Sequence, residues 1–554
     1  MKFTRRDLLA WGAGAAAGFM VTPVPWKVLD DVSIWSQNWG WIPQPARGPV
    51  EAKQSFCTLC PNGCGLRVKM ASGWPVGVAG MSTHPVSRGA LCPLGFGAHQ
   101  LNWHPQRVRT VRHRGTASSW NEAQASLKRA IGEGPVVIVD GYPGRAASSV
   151  FDNFSQNHGG SYRVVAGAEL RALRPYETWT QVPATCLGYD LENSETILSF
   201  GAPLLDGWGT PGRVTRIWAE RAASSNDLPL RLIQVEQTLS RTAAKAWKWI
   251  QIREGEDTAL ASGLARMLIE QKLVPARGPL PLMTLAEAAG RTGLPEDAIR
   301  DLARMLVARP ALAISRDENP AVAALNVVLG SVGKRGGIVR RSRSNSPYVA
   351  AEAAIPNARA VLIDSSVPWH WVPQTDAEVF RFAAWDGGPT KADWLLPAPG
   401  FLEDLTDVPG APTSSVETYA VAPSLVKAPF EVQSAAQLLA SVDSSVPPID
   451  KVIHSRCEDF WRRKSGTLHG KETTSTTQYE TVQKFEEELR KGAVWVGEPA
   501  GGTLRCTLEE WPAADMADQG ENWAAAWPAP VLPPLASKLY IESGLREAPE
   551  RSNA

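Results

Sequence analysis

Four of the seven cysteines lie between residues 57 and 92, as Cys57, Cys60, Cys64 and Cys92, in a C-x2-C-x3-C-x27-C spacing. Four thiolates brought together repel one another unless a cation or cluster shares their charge. Three close cysteines and a distant fourth suit a cubane, in which each iron takes one thiolate. Pro61, Gly63 and Gly65 let the chain turn sharply, so backbone N–H groups can face cluster sulfides. A structural zinc site is the alternative, although zinc usually pairs two C-x2-C knuckles and the second half here offers Cys92 alone. Free thiols or disulfides are the third reading. The spacing thus points to one [4Fe-4S] cluster on Cys57, Cys60, Cys64 and Cys92, with no catalytic residue assigned.

The N-terminus reads as a targeting segment. Arg5 and Arg6 precede an apolar, Ala/Gly-rich run to Val21, the pattern of a twin-arginine export signal. That run is shorter than the ~20 residues of a bilayer span, and no clean cleavage site follows it before Pro23. Residues 8–21 are therefore a candidate anchor. Twin-arginine export carries folded proteins, which fits a cluster assembled before export. The expected location is the periplasmic face of the cytoplasmic membrane.

The 57 basic and 56 acidic residues nearly cancel, and no basic stripe argues for nucleic acid. An apolar content of 44% supports a sizeable core. Trp35, Trp39 and Trp41 in the stretch 31–55 suggest a linker packed on a surface rather than a disordered one.

Beyond the cysteines the pattern becomes α/β. A helix opens at Ser119 and runs to about Ile131, followed by a buried strand ending at Asp140, a turn at Gly141–Gly144 and a helix to Asn157. Further strands read at 195–200, 230–235, 311–315 and 361–364, with helices at 212–223 and 294–307 between them. Alternation of this kind implies parallel sheets with helices on both faces. The strands at 136–140, 195–200 and 231–235 are expected in one parallel αβα core. Ligands of such sheets bind beyond the strands' carboxyl ends. Near the C-terminus a helix is read over 476–491, stopped by Gly492, before a Pro/Trp-rich tail.

The cysteine motif, with His104, Pro105 and Arg107 behind it, resembles the N-terminal cluster domain of the molybdopterin (bis-MGD) oxidoreductases. Short motifs in the same order extend the resemblance over roughly residues 55–445, including Ser119–Glu122, Asn326 to Gly337, and Ala392–Pro397 with Glu403. The chain departs from the family pattern at several positions. Leu94 replaces the basic residue between cluster and pterin. Pro203 stands where an amide belongs, and Thr238 where an arginine belongs. Asp257, at the guanine-binding position, survives beside the added Glu254 and Glu256, and is equally a helix N-terminal acid. Cys186 and Asp190 occupy the stretch where a metal ligand is expected. Cys186 comes late for that role and reads more naturally as a buried apolar cysteine. Cys457 and Cys506 lack metal-type spacing.

These losses resemble a narrower group, the molybdenum-free molybdopterin-like subunits of menaquinone reductase complexes and alternative complex III. The tail at 533–546 looks like the tails of that group. The resemblance implies an electron-transfer or scaffold subunit of a membrane-associated respiratory quinone oxidoreductase complex. It implies one cluster, with bis-MGD and molybdenum absent. The implied partners are a ferredoxin-like multi-cluster iron–sulfur subunit and a quinone-binding integral membrane subunit, with a cytochrome c as a further candidate. A catalytic molybdenum or tungsten bis-MGD oxidoreductase is the alternative. The expected divisions are 1–30 signal or anchor, 31–55 linker, 56–115 iron–sulfur domain, 116–270 and 271–445 Rossmann-like α/β lobes, and 446–554 helix and tail.

Overall fold

The computed structural model describes residues 4–21, 27–28, 49–222, 229–275, 279–341, 349–351, 355, 357–368, 371, 373–386, 392–411, 413–498 and 504–512. Most of the expected linker and the tail at 533–546 lie outside them, and residues 50–55 of the linker belong to the strand Val50–Phe56. The chain divides into two units, Met1–Glu51 with Lys69–Val76, and Ala52–Val68 with Gly77–Ala554. In the first, Arg5–Val21 is a helix whose Leu8, Leu9 and Trp11 side chains are exposed. Among the described residues no helix is long and apolar enough to cross a membrane.

The second unit holds two parallel sheets. In the larger, eight-stranded sheet the order is Val349–Ala350, Ser161–Val164, Val136–Asp140, Ala360–Ile363, Glu378–Ala383, Trp394–Pro397, then Arg112–His113 and Thr116–Ala117. The first six strands are parallel and the last two antiparallel. The smaller sheet orders Lys248–Gln251, Arg231–Glu236, Thr196–Phe200 and Ala311–Ser315, all parallel.

Side chains alternate across each strand, and the cores follow that alternation. Val136 and Ile138 pack with Leu127, Phe151 and Phe154 of the helices Trp120–Glu133 and Ala146–Asn157. Val137 and Val139 face the other way, against Ala351 and Val367. In the smaller sheet Leu198 and Phe200 meet the helix Asp257–Glu270, whereas Ile197 meets Val214 and Ile217 of the helix Pro211–Ala222. The smaller sheet thus carries helices on both faces. The larger carries helices on one face and, among the described residues, non-helical segments on the other.

Three sequence expectations need correction. The strand Val136–Asp140 does not share a sheet with Thr196–Phe200 and Arg231–Glu236. It pairs with Ala360–Ile363, more than two hundred residues later. The two sheets therefore draw on interleaved stretches rather than on 116–270 and 271–445. The region after 446 is also more than helix and tail. A five-stranded antiparallel sheet orders Thr406–Val408, Thr418–Ala422, Val494–Val496, Thr467–His469 and Thr473–Ser475. It packs on the helices Ile449–Arg462 and Val482–Arg490 through Tyr419, Phe460, Phe485 and Trp495. The helix expected over 476–491 starts only at Val482, capped by the Thr481 hydroxyl.

Candidate metal centre and the ends of the parallel strands

The cysteine loop is closed by its own backbone, with Cys57 N–H donating to the Cys64 carbonyl at 2.8 Å. Gly63 sits at φ 62°, and a Cβ there would lie 2.4 Å from Val408 Cγ1, so the turn requires glycine. Cys92 caps the short helix Pro93–Gly97, its Sγ accepting from Gly95 N–H at 3.4 Å. Asn62 Nδ2 donates to Cys64 Sγ at 2.8 Å. Hydrogen bonds of this kind stabilise charge on sulfur.

Cys57, Cys60, Cys64 and Cys92 line one cavity, with Leu59, Asn62, Leu91, Leu94, Gly95 and Pro211. Cys57 and Cys64 are buried, while Cys60 and Cys92 are half-buried. Burial pushes the Cys57 thiol up to about 12. Burial, and then the charge of the neighbouring sulfurs, raises Cys60 and Cys64 as well. Iron binding requires thiolates, and here they face a space lined by no cationic side chain. Such a donor set calls for a cationic guest. Among the described residues no three His, Cys, Asp or Glu side chains stand close enough to share one metal ion. A four-iron cluster, which takes one thiolate at each of its corners, is a cationic guest of that kind.

Sequence reasoning missed three neighbours of this cavity. Gly212 lets the start of the helix Pro211–Ala222 approach closely, since a Cβ there would lie 2.9 Å from Cys64 Sγ and 3.0 Å from Asn62 Nδ2. His84 is buried beside the loop, held neutral by burial, and its Nδ1 meets the Ser87 hydroxyl at 3.0 Å. Glu169 is buried near enough for its charge to be felt at Cys60, and burial raises its carboxyl to about 7. Only the glycine has a sequence signal, the helix-opening Pro211-Gly212 pair.

The strand ends that the fold offers to a nucleotide hold side chains of the chain itself. In the smaller sheet Arg316 Nε donates to the Gly201 carbonyl at 3.0 Å, and the buried Trp208 indole N–H to the Arg316 carbonyl at 3.1 Å. Gln234 bridges the Ala202 carbonyl at 3.2 Å and Glu236 at 3.0 Å. In the larger sheet Arg145 binds Asp140 at 2.7 Å and Asp364 at 2.8 Å. Ser148, Tyr162 and Ser366 donate to the same Asp140 carboxylate at 2.6, 2.9 and 2.8 Å. Burial opposes ionisation of Asp140, but Arg145 and these hydroxyls hold its carboxyl below the ordinary value. The network was missed from sequence. Its signal is an acid closing each of two apolar strands, with Arg145 five residues after the first.

The other candidate residues do not converge. Glu256 pairs with Arg291 at 2.7 Å, Glu254 is exposed, and Asp257 opens the helix Asp257–Glu270. Cys186 lies in an apolar core with Leu170, Leu187 and Tyr189. Asp190 accepts from Gly336 N–H at 2.8 Å and Asn193 Nδ2 at 2.9 Å. Cys457 belongs to the core under the C-terminal sheet. Arg107, of the motif behind the cysteines, forms a fully buried pair with Glu403 between the rings of Trp385 and Phe430.

Comparison with known proteins agrees with the cysteine motif. Residues 50–102 match the molybdopterin oxidoreductase Fe4S4 domain. The menaquinone reductase molybdopterin-binding-like subunit of Nitratidesulfovibrio vulgaris is 32% identical over 365 residues, 61% of this chain and 52% of that protein. The major subunit of the nitrate-inducible formate dehydrogenase of Escherichia coli is 28% identical over 261 residues, 40% of this chain and 25% of that one. The chain thus spans about half the length of the first relative or less of the second. Acetylene hydratase from Pelobacter acetylenicus shares the fold, with a TM-score of 0.59 and 14% identity over 80% of this chain and 74% of that one.

Proposed function

We propose, for a chain that belongs to the molybdopterin oxidoreductase family, a role as an electron-transfer subunit of a membrane-associated respiratory quinone oxidoreductase complex. One [4Fe-4S] cluster would be held by Cys57, Cys60, Cys64 and Cys92, and would supply one-electron storage. The observation that carries this reading is the contrast between two places. Four buried or half-buried sulfurs line one cavity, while the strand ends where bis-MGD would bind are bonded among themselves. Two pyrophosphates need free donors and cations. Arg145 already faces two carboxylates, and Arg316 a backbone carbonyl. These residues do not fit the cofactor, and no catalytic step is assigned to them.

The chain's own groups act on the sulfurs. Asn62 and Gly95 donate hydrogen bonds that favour charge on Cys64 and Cys92. Leu59, Leu91 and Leu94 line the cavity with apolar surface. The likeness to a menaquinone reductase subunit supports association with iron–sulfur and quinone-binding membrane subunits. Arg5 and Arg6 at the head of an exposed apolar helix support export by the twin-arginine route to the periplasmic face.

Metal and nucleotide analysis of the purified full chain tests the reading. The expected result is four irons per chain, no molybdenum or tungsten, and no guanine nucleotide on denaturation. Two guanine nucleotides with stoichiometric molybdenum or tungsten would replace it with the catalytic alternative. For the location, Arg5→Lys with Arg6→Lys should leave the protein in the cytoplasm. Normal export of that double variant would overturn the signal assignment.

A further inference from the structure

The loop Asn62-Gly63-Cys64 is closed in by residues distant in sequence. Asn62 is 3% exposed and serves two of the four cysteines. Its Nδ2 donates to Cys64 Sγ at 2.8 Å, and its backbone N–H bonds the Cys60 sulfur and favours charge there. Gly212, at the start of the helix Pro211–Ala222, leaves room for that amide, since a Cβ there would lie 3.0 Å from Asn62 Nδ2. Gly63 is bounded by Val408 and by Tyr142, whose hydroxyl oxygen is 3.6 Å from where a Gly63 Cβ would stand. Both neighbours are tied to the strand end of the larger sheet. Tyr142 N–H donates to Asp140 at 2.8 Å, the Tyr142 carbonyl accepts from Arg145 Nε at 3.0 Å, and the Arg145 guanidinium stands 5.2 Å from the Tyr142 ring centre. Val408 follows the buried Asp407, which accepts from Ala146 N–H, next to Arg145, at 2.7 Å.

We infer that Tyr142 is a positioning residue for the cluster, held by Asp140 and Arg145 so that its hydroxyl end fixes Gly63 and, through it, the two hydrogen bonds of Asn62. This rests on the reading that the four cysteines hold a cluster. Reduction places one electron on a group of sulfides and thiolates that is already negative, with no bond made or broken. Donors to the sulfurs stabilise that added charge, so they raise the potential. They do so only while their geometry is kept, since a hydrogen bond weakens steeply with distance and angle. Gly63, at φ 62° and without a side chain, cannot by itself hold the backbone that carries Asn62 and Cys64. A buried ring whose backbone is bonded on both sides, with a guanidinium over its face, is rigid by comparison. The closed strand end thus has a use beyond stability. The arginine shared by Asp140 and Asp364 also steadies the loop that lines the cluster cavity.

The test is a redox titration of the purified full chain, with dithionite as the one-electron source and electron paramagnetic resonance as the readout. Asn62→Leu removes the side-chain donor and should make reduction roughly tenfold less favourable, a downward shift of about 59 mV for one electron. Tyr142→Ala leaves Asn62 in place but frees Gly63, and should make reduction roughly threefold less favourable, or about 30 mV lower. Tyr142→Phe keeps the ring and loses the atom nearest Gly63, so its potential should fall between those of wild type and Tyr142→Ala. Iron content should stay at the wild-type level in all three, because none of the changed side chains is a ligand. Tyr162→Phe is the control, since its hydroxyl also bonds Asp140, at 2.9 Å, but the loss leaves both backbone bonds of Tyr142 in place. That variant should lose stability and keep the wild-type potential. A wild-type potential in Tyr142→Ala with full iron would overturn the proposal, and so would an equal downward shift in Tyr162→Phe. If Tyr142→Ala does not fold, Tyr142→Phe decides alone, and a wild-type potential there overturns it. Absence of iron from the wild-type chain would instead remove the cluster reading on which the proposal stands.

Discussion

At Cys57, Cys60, Cys64 and Cys92 donors face a space that holds no cationic side chain, whereas at Asp140 and Asp364 two carboxylates share Arg145 and a ring of hydroxyls. Both places lie where a family of this fold could hold a cofactor. The first is incomplete by its own chemistry, since buried thiols raised by burial bind nothing until they lose protons to a metal. The second is satisfied by the chain itself, since the two carboxylates share one arginine and several hydroxyls. The difference teaches that, within one fold, four donors can face a space without a cation while two buried acids are satisfied by the chain's own arginine and hydroxyls.

The comparison breaks most severely at the cysteines. Cys57→Ser should leave roughly a tenth of the iron or less, because metal binding and folding of this loop are linked. Iron and sulfide assays on the purified full chain check it, and a full complement of iron would mean that Cys57 is not a ligand. At the strand ends the effect should be on stability and not on metal. Arg145→Met leaves Asp140 and Asp364 buried without their cation, which should cost about 3–5 kcal/mol in chemical denaturation with the iron content unchanged. A cost below about 1 kcal/mol would place that network among weakly contributing surface pairs.

Glu169 sharpens the contrast between the two places, since among the described residues no ion pair holds this buried acid and burial outweighs the more distant charge of Arg171. Burial raises its carboxyl from 4.5 to about 7 in the folded protein. The folded state therefore holds a proton that the unfolded chain releases between those values. Stability from this group is fully present below about pH 4.5 and is lost as the pH rises through about 7. Glu169→Gln cannot ionise, so its unfolding free energy should lack about 1–3 kcal/mol of the decline that wild type shows between pH 5 and pH 8. Parallel pH profiles for the two proteins would show that Glu169 keeps its ordinary acidity.

What could be read from the sequence follows how local the information is. The four cysteines could be read from their spacing as residues that meet, and their side chains do line one cavity. The Ser119 helix start was legible from its capping box with Glu122, which the structure contains. The strand at 136–140 was legible as a buried strand, but its partner was not. Four apolar residues before Asp140 state that both faces are covered, and nothing in them names Ala360–Ile363 as the neighbour. The C-terminal sheet escaped because four of its strands have three residues each, too few to display alternation. Asp140, Arg145 and Asp364 escaped because their meeting depends on that same long-range pairing.

The smallest expected effect concerns the cysteine that could have served as a ligand. Cys186 ends the turn of 3-10 helix Ala184–Cys186, and its carbonyl accepts from Arg341 N–H at 2.7 Å. Its side chain belongs to the core of Leu170, Leu187 and Tyr189, with 9% of the residue exposed. In such surroundings cysteine behaves as a small hydrophobe. Cys186→Ala removes one sulfur and leaves a small void, so the expected cost is about 1 kcal/mol. The carbonyl bond to Arg341 uses the backbone and survives the change. The metal inventory should be identical to wild type, because among the described residues no group of three or more His, Cys, Asp or Glu side chains could hold a metal ion. A ligand at that position would behave differently, for its loss would empty the metal from a bis-pterin site while sparing the iron. Mass spectrometry of metals in the variant and the wild type separates the two. Loss of molybdenum or tungsten with retained iron would make Cys186 a ligand and the strand-end closure a wrong inference about the cofactor.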